Sequence, residues 1–163
     1  MEKNKDLRKG YALSWSGYLN TLKVAVAHDT SLILEDDVDW DISICEQTLE
    51  MAEAAPILQD STISQGPSFG MKWDILWLGH CDNSIVFDPP PIVLDDPTEP
   101  LYFNSWEKVL STDPQHKQYV HPSAGPLCTY AYAVTGVMAK KPLDRGGHGS
   151  APFDIWLHMS RIR

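Results

Sequence analysis

The chain has 163 residues, 43% hydrophobic and 21% charged, a balance typical of one globular domain with its own core. Its net charge of −9 repels phosphate, so we expect neither nonspecific nucleic-acid binding nor attraction to an anionic membrane. No apolar run approaches the roughly 20 residues of a bilayer-spanning helix, and the charged N-terminus lacks the apolar region of a secretory signal. The sequence therefore predicts no membrane segment, and a cytoplasmic location is the default expectation.

The first third of the chain predicts two helices with one short strand between them. Apolar residues recur at helical spacing from 13 to 27 and again from 42 to 55. The apolar run at 31–34 is typical of a buried strand. Asp41 is expected to cap the second helix, and Pro56 to follow its end.

The remainder of the chain predicts further strands separated by loops. Residues 82–100 are rich in proline and aspartate, which indicates a long surface loop. The other predicted elements are a polar loop at 59–70, strands at 73–78, 117–121 and 127–135, a glycine-rich loop at 146–150 and a helix at 153–160.

Helices that alternate with short buried strands predict an α/β layered sheet. In such sheets ligands bind at the carboxyl ends of the strands. Glu35, Asp36 and Asp37 follow the first predicted strand, and Gly79 and His80 follow the second. We therefore expect both groups to lie at the ligand-binding edge of the sheet.

The three acidic residues after the first strand suit a divalent cation. In an extended chain Glu35 and Asp37 project in the same direction and Asp36 in the other. Mg²⁺ and Mn²⁺ prefer carboxylate oxygens and commonly share them with substrate phosphates. From the spacing alone, a solvated acidic loop explains the same residues equally well.

A calcium loop is the competing metal site, and its pattern fails. Asp37, Asp39 and Asp41 match the first three ligand positions of an EF-hand. Ile42 then stands where the turn needs glycine, and Thr48 where a bidentate glutamate is needed.

The cysteines predict neither a zinc site nor a disulfide framework. Cys45, Cys81 and Cys128 are an odd number at wide spacing, without a CxxC pair. We expect all three to be small buried side chains.

Four motifs in chain order resemble glycosyltransferase family 25, which includes lipooligosaccharide β-galactosyltransferases and procollagen galactosyltransferases. The motifs are LILEDDVDWD, WDILWLGHC, GPLCTYAYAVT and PFDIWL. The version with WLGHC and LCTYAYAVT is most similar to fungal members. The resemblance extends, with gaps, from about Gly10 to about Leu157.

The resemblance implies a GT-A-like (Rossmann-like) fold and an inverting transfer of a hexose from a UDP-sugar to a glycan or protein acceptor. Galactose is the hexose that the resemblance favours. It implies that Glu35, Asp36 and Asp37 hold Mn²⁺ or Mg²⁺ against the diphosphate of the donor. Asp154 in PFDIWL matches a late aspartate of the family and is the candidate general base. An ordinary first-turn aspartate of a helix is the alternative.

Three further residues are candidates for binding the donor. Gly79 and His80 follow the second strand, where they are placed to contact sugar or phosphate. Ser14 resembles the family's helix start, although Trp15 replaces the usual histidine, and a helix cap is its competing interpretation. His148 lies in a glycine-rich stretch that lacks the order of a phosphate loop.

The resemblance covers an internal part of the family's domain. We therefore expect residues 1–163 to form a single partial GT-A-like domain that lacks the strand cradling the nucleotide base. Such a chain is either a transferase or an inactive remnant that keeps a metal- or nucleotide-binding site. Family members often work in the secretory pathway, and a lost N-terminus explains a missing signal as well as a cytoplasmic location does.

Overall fold

The computed structural model describes residues 9–59, 68–81, 86–98, 116–144 and 151–159, which form a mixed α/β protein as predicted. None of the helices in these ranges is long and apolar enough to span a membrane. The helices are α1 (Lys9–Ala25), α2 (Ile44–Leu58), α3 (Gly136–Asp144) and α4 (Phe153–Met159), and the strands are β1 (Thr30–Leu34), β2 (Ile75–Gly79), β3 (Ile92–Asp95), β4 (Lys117–Val120) and β5 (Ala131–Thr135).

The chain divides into two compact units. Unit 1 comprises Met1–Val38, Trp73–Asn83 and Gly125–Arg163, and unit 2 comprises Asp39–Lys72 and Ser84–Ala124. The acidic residues between 35 and 41 are divided between the two units: Glu35 to Asp37 belong to unit 1, whereas Asp39 and Asp41 belong to unit 2.

Unit 1 contains a three-stranded sheet in the order β1-β5-β2. The central strand β5 is antiparallel to both neighbours, so β1 and β2 run in the same direction. Leu34 at the end of β1 and Gly79 at the end of β2 both pair with Ala131, the first residue of β5. The carboxyl ends of β1 and β2 therefore meet at one edge of the sheet.

One face of this sheet carries the core of unit 1. Alternate residues of a strand point to opposite faces, and Ile33, Tyr132 and Val134 belong to one buried cluster with residues of α1, α3 and α4. The helical members of the cluster are Trp15, Leu22, Ala25, Met138, Ala139, Phe153 and Leu157. Each large buried side chain contributes about 1.5–3 kcal/mol of transfer free energy.

The prediction that 31–34 form a buried strand is correct for one face only. Ile33 is buried, whereas Leu32 and Leu34 are 57% and 45% exposed. An apolar run does not reveal by itself which of its residues a neighbouring layer covers.

Unit 2 is formed by α2 and an antiparallel pair of strands, β3 and β4. The pairing extends from Ile92 opposite Val120 to Asp95 opposite Lys117, and the last two side chains form an ion pair. The prediction of a loop throughout 82–100 is therefore wrong for the four residues of β3. The prolines flank β3 and do not interrupt it. Their number made the whole stretch resemble a loop, so the composition did not indicate the strand.

Helix α2 is longer than predicted because it continues through Pro56. A proline within a helix leaves the carbonyl four residues earlier without its usual donor. Here the amide of Phe69 donates to that carbonyl, on Ala52, at 3.3 Å. The helix therefore tolerates the proline and ends at Leu58.

The prediction of three buried thiols is wrong. Cys81 and Cys128 form a disulfide, and Cys45 is a free cysteine with an exposed side chain. The Cα atoms of the bonded pair are 5.6 Å apart, although 47 positions separate them in sequence. Only the tertiary structure brings the two together, because Cys81 follows β2 and Cys128 precedes the neighbouring strand β5.

Candidate functional site

The edge at which β1 and β2 end is the candidate site. The amide of Glu35 donates to the carbonyl of Tyr130 at 3.0 Å, which extends the pairing of β1 by one residue. Beside it, the amide of Cys81 donates to the carbonyl of Leu127 at 3.1 Å. The two strand ends are thereby attached to the same stretch of chain, which we call the pre-β5 segment, residues 125–130.

Gly79 lies where the backbones are too close for a larger residue. A Cβ atom at this position would stand 3.3 Å from Ala131 and from the Cβ of Tyr130. This close approach accounts for the glycine by packing at the end of β2. The candidate His80 follows it with an exposed side chain.

The carboxylate of Glu35 is held by two hydroxyl groups. Tyr18, from α1, donates a hydrogen bond to Oε1 of Glu35, and Thr129, from the pre-β5 segment, donates to the same oxygen at 2.7 Å. The hydroxyl oxygens of Tyr18 and Thr129 lie 2.5 Å apart, so the three groups form a compact triangle. Among the described residues, both of these bonds go to Oε1, and none goes to Oε2.

The triangle is partly removed from water. Thr129 is only 2% exposed. Burial, and then the hydrogen bond to Glu35, raises the pKa of Tyr18 above its usual range. The phenol therefore stays protonated at neutral pH and remains a donor to the carboxylate.

Asp36 and Asp37 differ from Glu35 in their surroundings. Both side chains are exposed in the turn after β1. Within the described ranges neither carboxylate has a hydrogen bond or ion-pair partner, and no group of three or more His, Cys, Asp or Glu side chains has the arrangement of a metal site. Their oxygens are nevertheless the hard donors that Mg²⁺ and Mn²⁺ prefer. The residues therefore fit a divalent cation in chemistry.

Asp154 also reaches the pre-β5 segment. It lies in the first turn of α4, and its Oδ2 accepts a hydrogen bond from the amide of Cys128 at 3.2 Å. Glu35 and Asp154 thus bind consecutive residues, Thr129 and Cys128, of one short segment. The structure brings the predicted base and the predicted metal cluster to the same edge of unit 1.

Ser14 does not cap a helix, because α1 already begins at Lys9 and Ser14 is an exposed residue in its interior. Positions four apart share a face of a helix, so Ser14 lies one turn before Tyr18. Trp15 is part of the core, and its indole donates to the carbonyl of Ala151 at 2.8 Å. His148 lies outside the described residues.

The other acidic residues of the motif have local roles in unit 2. Asp39 accepts a hydrogen bond from the amide of Trp40 at 2.9 Å. Asp41 accepts bonds from the amide of Ser43 at 2.7 Å and from the hydroxyl of Thr98 at 2.9 Å. Asp41 was predicted to cap a helix that begins at residue 42, but α2 begins at Ile44, with Ser43 at the cap position. Asp41 shapes the turn that leads into the helix.

Sequence reasoning missed Tyr18 and Thr129 as parts of the site. Tyr18 lies on the apolar stripe of α1, and its ring does stack on Phe153 with the ring centres 4.2 Å apart. Thr129 fell inside a predicted strand at 127–135, whereas β5 begins only at Ala131. A hydroxyl on an apolar stripe is the one local signal that pointed to a polar contact.

Comparison with family models, with curated proteins and with solved structures found no match to the chain. The function proposed below therefore depends on the residues, on their geometry and on the resemblance of the four motifs.

Proposed function

We propose that this chain is a metal-dependent glycosyltransferase with a GT-A-like fold, which moves a hexose from a UDP-sugar to a glycan or protein acceptor. Galactose is the favoured hexose. One observation carries the proposal: the acidic turn Glu35 to Asp37 follows β1 at the edge where β2 also ends, and Glu35 is anchored there by two hydroxyls. The four motifs that resemble glycosyltransferase family 25 support sugar transfer as the reaction carried out at this edge.

The three carboxylates have different roles in this proposal. Glu35 fixes the start of the turn through Oε1 and keeps Oε2 for the ligand. Asp36 and Asp37 are exposed and would hold Mn²⁺ or Mg²⁺ together with the diphosphate of the donor. When bound, the cation supplies Lewis-acid stabilisation of the charge that develops on the departing UDP.

Asp154 is proposed to accept the proton of the acceptor hydroxyl. Its Oδ2 is occupied by the amide of Cys128, which fixes the orientation of the carboxylate. Its Oδ1 has no bond from another described residue and is free to receive the proton. A base held in one orientation is suited to general-base catalysis because the proton must be removed along a defined direction.

The binding step is tested by thermal melting of the chain with Mn²⁺ alone, UDP alone and both together. We expect the melting temperature to rise only with both, because each completes the site for the other. Asp37→Ala should abolish that rise. Asp39→Ala is the matched control, since it removes the same charge two residues away and should leave the rise unchanged.

The catalytic step is tested by the release of UDP from UDP-galactose, with and without candidate acceptors. Release that depends on Mn²⁺ and is lost in Asp37→Ala supports the transferase. A joint Mn²⁺ and UDP shift without release from any UDP-sugar would instead assign the chain to the other predicted class, a nucleotide-binding module without turnover. Absence of any shift would contradict the proposed site.

A further inference from the structure

The disulfide between Cys81 and Cys128 lies directly beside the residues that hold Glu35. Cys81 follows β2, and Cys128 immediately precedes Thr129, whose hydroxyl donates to Glu35. We propose that this disulfide is a redox-sensitive device that sets the position of Glu35. In the oxidised chain Thr129 is held against the carboxylate, and reduction releases it.

The backbone of Cys128 needs external support. Its φ is +63°, a left-handed conformation that residues with a side chain adopt rarely. Such a conformation persists only where the surroundings hold it. Cys128 itself is held by the disulfide to Cys81 and by the hydrogen bond from its amide to Asp154, while backbone bonds to Leu127 and Tyr130 hold the chain on either side. Breaking the disulfide removes the covalent one of the two contacts made by Cys128 itself.

The path from the disulfide to Glu35 consists of adjacent residues. The side chain of Thr129 donates to Oε1 of Glu35 at 2.7 Å. The carbonyl of Tyr130, the next residue, accepts the amide of Glu35 at 3.0 Å. A relaxation of Cys128 therefore acts on both the side chain and the backbone of Glu35, and leaves Tyr18 as the one described donor to its carboxylate.

The chemical step is reduction by a dithiol. Cys81 is an exposed residue, and we take its sulfur as the atom that a thiolate attacks. The thiolate attacks Sγ of Cys81, the Sγ–Sγ bond breaks, and the Cys128 thiolate leaves and takes a proton from water. The second thiol of the reductant then resolves the mixed disulfide. Both cysteines end as thiols, and the reductant ends as its own disulfide after giving up two electrons.

The effect of reduction on cation and UDP binding at Glu35, Asp36 and Asp37 rests on the proposed function, whereas the coupling of the disulfide to Glu35 does not. Oxidising compartments preserve such a disulfide and reducing ones open it. The site is therefore assembled in the oxidised chain and loosened where dithiols are abundant.

The coupling is tested by backbone hydrogen exchange on the full chain before and after treatment with a dithiol. Counting thiols in denatured samples follows the reaction: one per chain before reduction, from Cys45, and three after it. We expect the Glu35 amide to exchange about tenfold faster after reduction, roughly the effect of losing one hydrogen bond. The amides of β3 serve as the internal reference and should not change.

Two results would overturn the proposal. One is complete reduction with unchanged exchange at Glu35. The other is a uniform rise in the rate of amide exchange across β1, β5 and α1, which would mean that the disulfide stabilises unit 1 as a whole. The double variant Cys81→Ser, Cys128→Ser should reproduce the reduced pattern without reductant, and Cys45→Ser is its matched control and should behave as the parent.

The same samples separate this proposal from the proposed function. A joint Mn²⁺ and UDP melting shift that is lost on reduction supports both. If neither form shows that shift while exchange at Glu35 still rises on reduction, the metal and nucleotide assignment fails and the redox coupling stands. If the oxidised chain binds and the reduced chain binds equally well with unchanged exchange, the transferase stands and the redox coupling fails.

Discussion

The phenol of Tyr18 donates a hydrogen bond to the carboxylate of Glu35, and this bond connects helix α1 to the end of strand β1. The ring of the same tyrosine stacks on Phe153 in the core, so one side chain serves both the apolar layer and the candidate site. Glu35 is therefore positioned by the packing of unit 1 as well as by its own strand.

Tyr18→Phe should separate these two contributions. The ring and its stacking are retained, while the hydrogen bond to Glu35 is lost, so we expect the free energy of unfolding to fall by about 1–2 kcal/mol. Urea denaturation measures this. The joint Mn²⁺ and UDP shift should also decrease, because Glu35 loses one donor. Tyr11→Phe, on the same helix, is the control for removing a phenol hydroxyl, and an equal loss there would contradict the role given to Tyr18.

Thr129 should tolerate serine but not valine. Valine preserves the volume but leaves Oε1 of Glu35 with one described donor, so we expect a loss of about 1–3 kcal/mol of stability. Serine restores the hydroxyl and should recover most of it. Stability is measured by urea denaturation, and equal stability of the valine and serine variants would show that the hydroxyl does not hold Glu35.

Asp154→Asn should abolish transfer while preserving donor binding. The amide oxygen of asparagine still accepts the bond from Cys128, but it cannot take a proton from an acceptor hydroxyl. We expect acceptor-dependent release of UDP to fall by at least about a hundredfold, with the Mn²⁺ and UDP melting shift retained. Transfer at the parent rate would assign Asp154 a structural role at the start of α4.

The local patterns of the sequence predicted much of the fold. Helix α1, strand β1 and helix α4 agree with their predicted ranges to within a few residues, because their periodicity is a local property. Helix α3 was missed, since it follows β5 directly and its sequence begins with glycine and contains Pro142. Both residues are ordinary signals against a helix.

The assembly of the site was less predictable. The placement of Glu35 and Gly79 at one sheet edge was expected from the alternation of helices and strands, and both strand ends do pair with Ala131. The central antiparallel strand, the disulfide and the contact of Thr129 with Glu35 depend on residues far apart in sequence. Such long-range pairings leave no periodic signal, which is why they emerged only from the structure.

Alkaline pH should lower the free energy of unfolding, because unfolding allows the two buried phenols to ionise. Burial is the main cause that raises the pKa of both Tyr18 and Tyr132, and no hydrogen-bond partner of the Tyr132 hydroxyl is present in the described ranges. A group whose pKa is higher in the folded state than in the unfolded state stabilises the fold below its unfolded pKa, about 10 for tyrosine. This contribution should therefore be complete below about pH 10 and decrease as the pH rises above it.

The measurement is a phenolate absorbance titration alongside circular dichroism. The part of the absorbance that belongs to Tyr18 and Tyr132 should appear only together with unfolding, because the folded state opposes their ionisation. In the double variant Tyr18→Phe, Tyr132→Phe this late part should be missing and the rest of the curve unchanged. A late part that persists in the double variant would mean that other groups cause it, and the two phenols would then not account for the loss of stability at high pH.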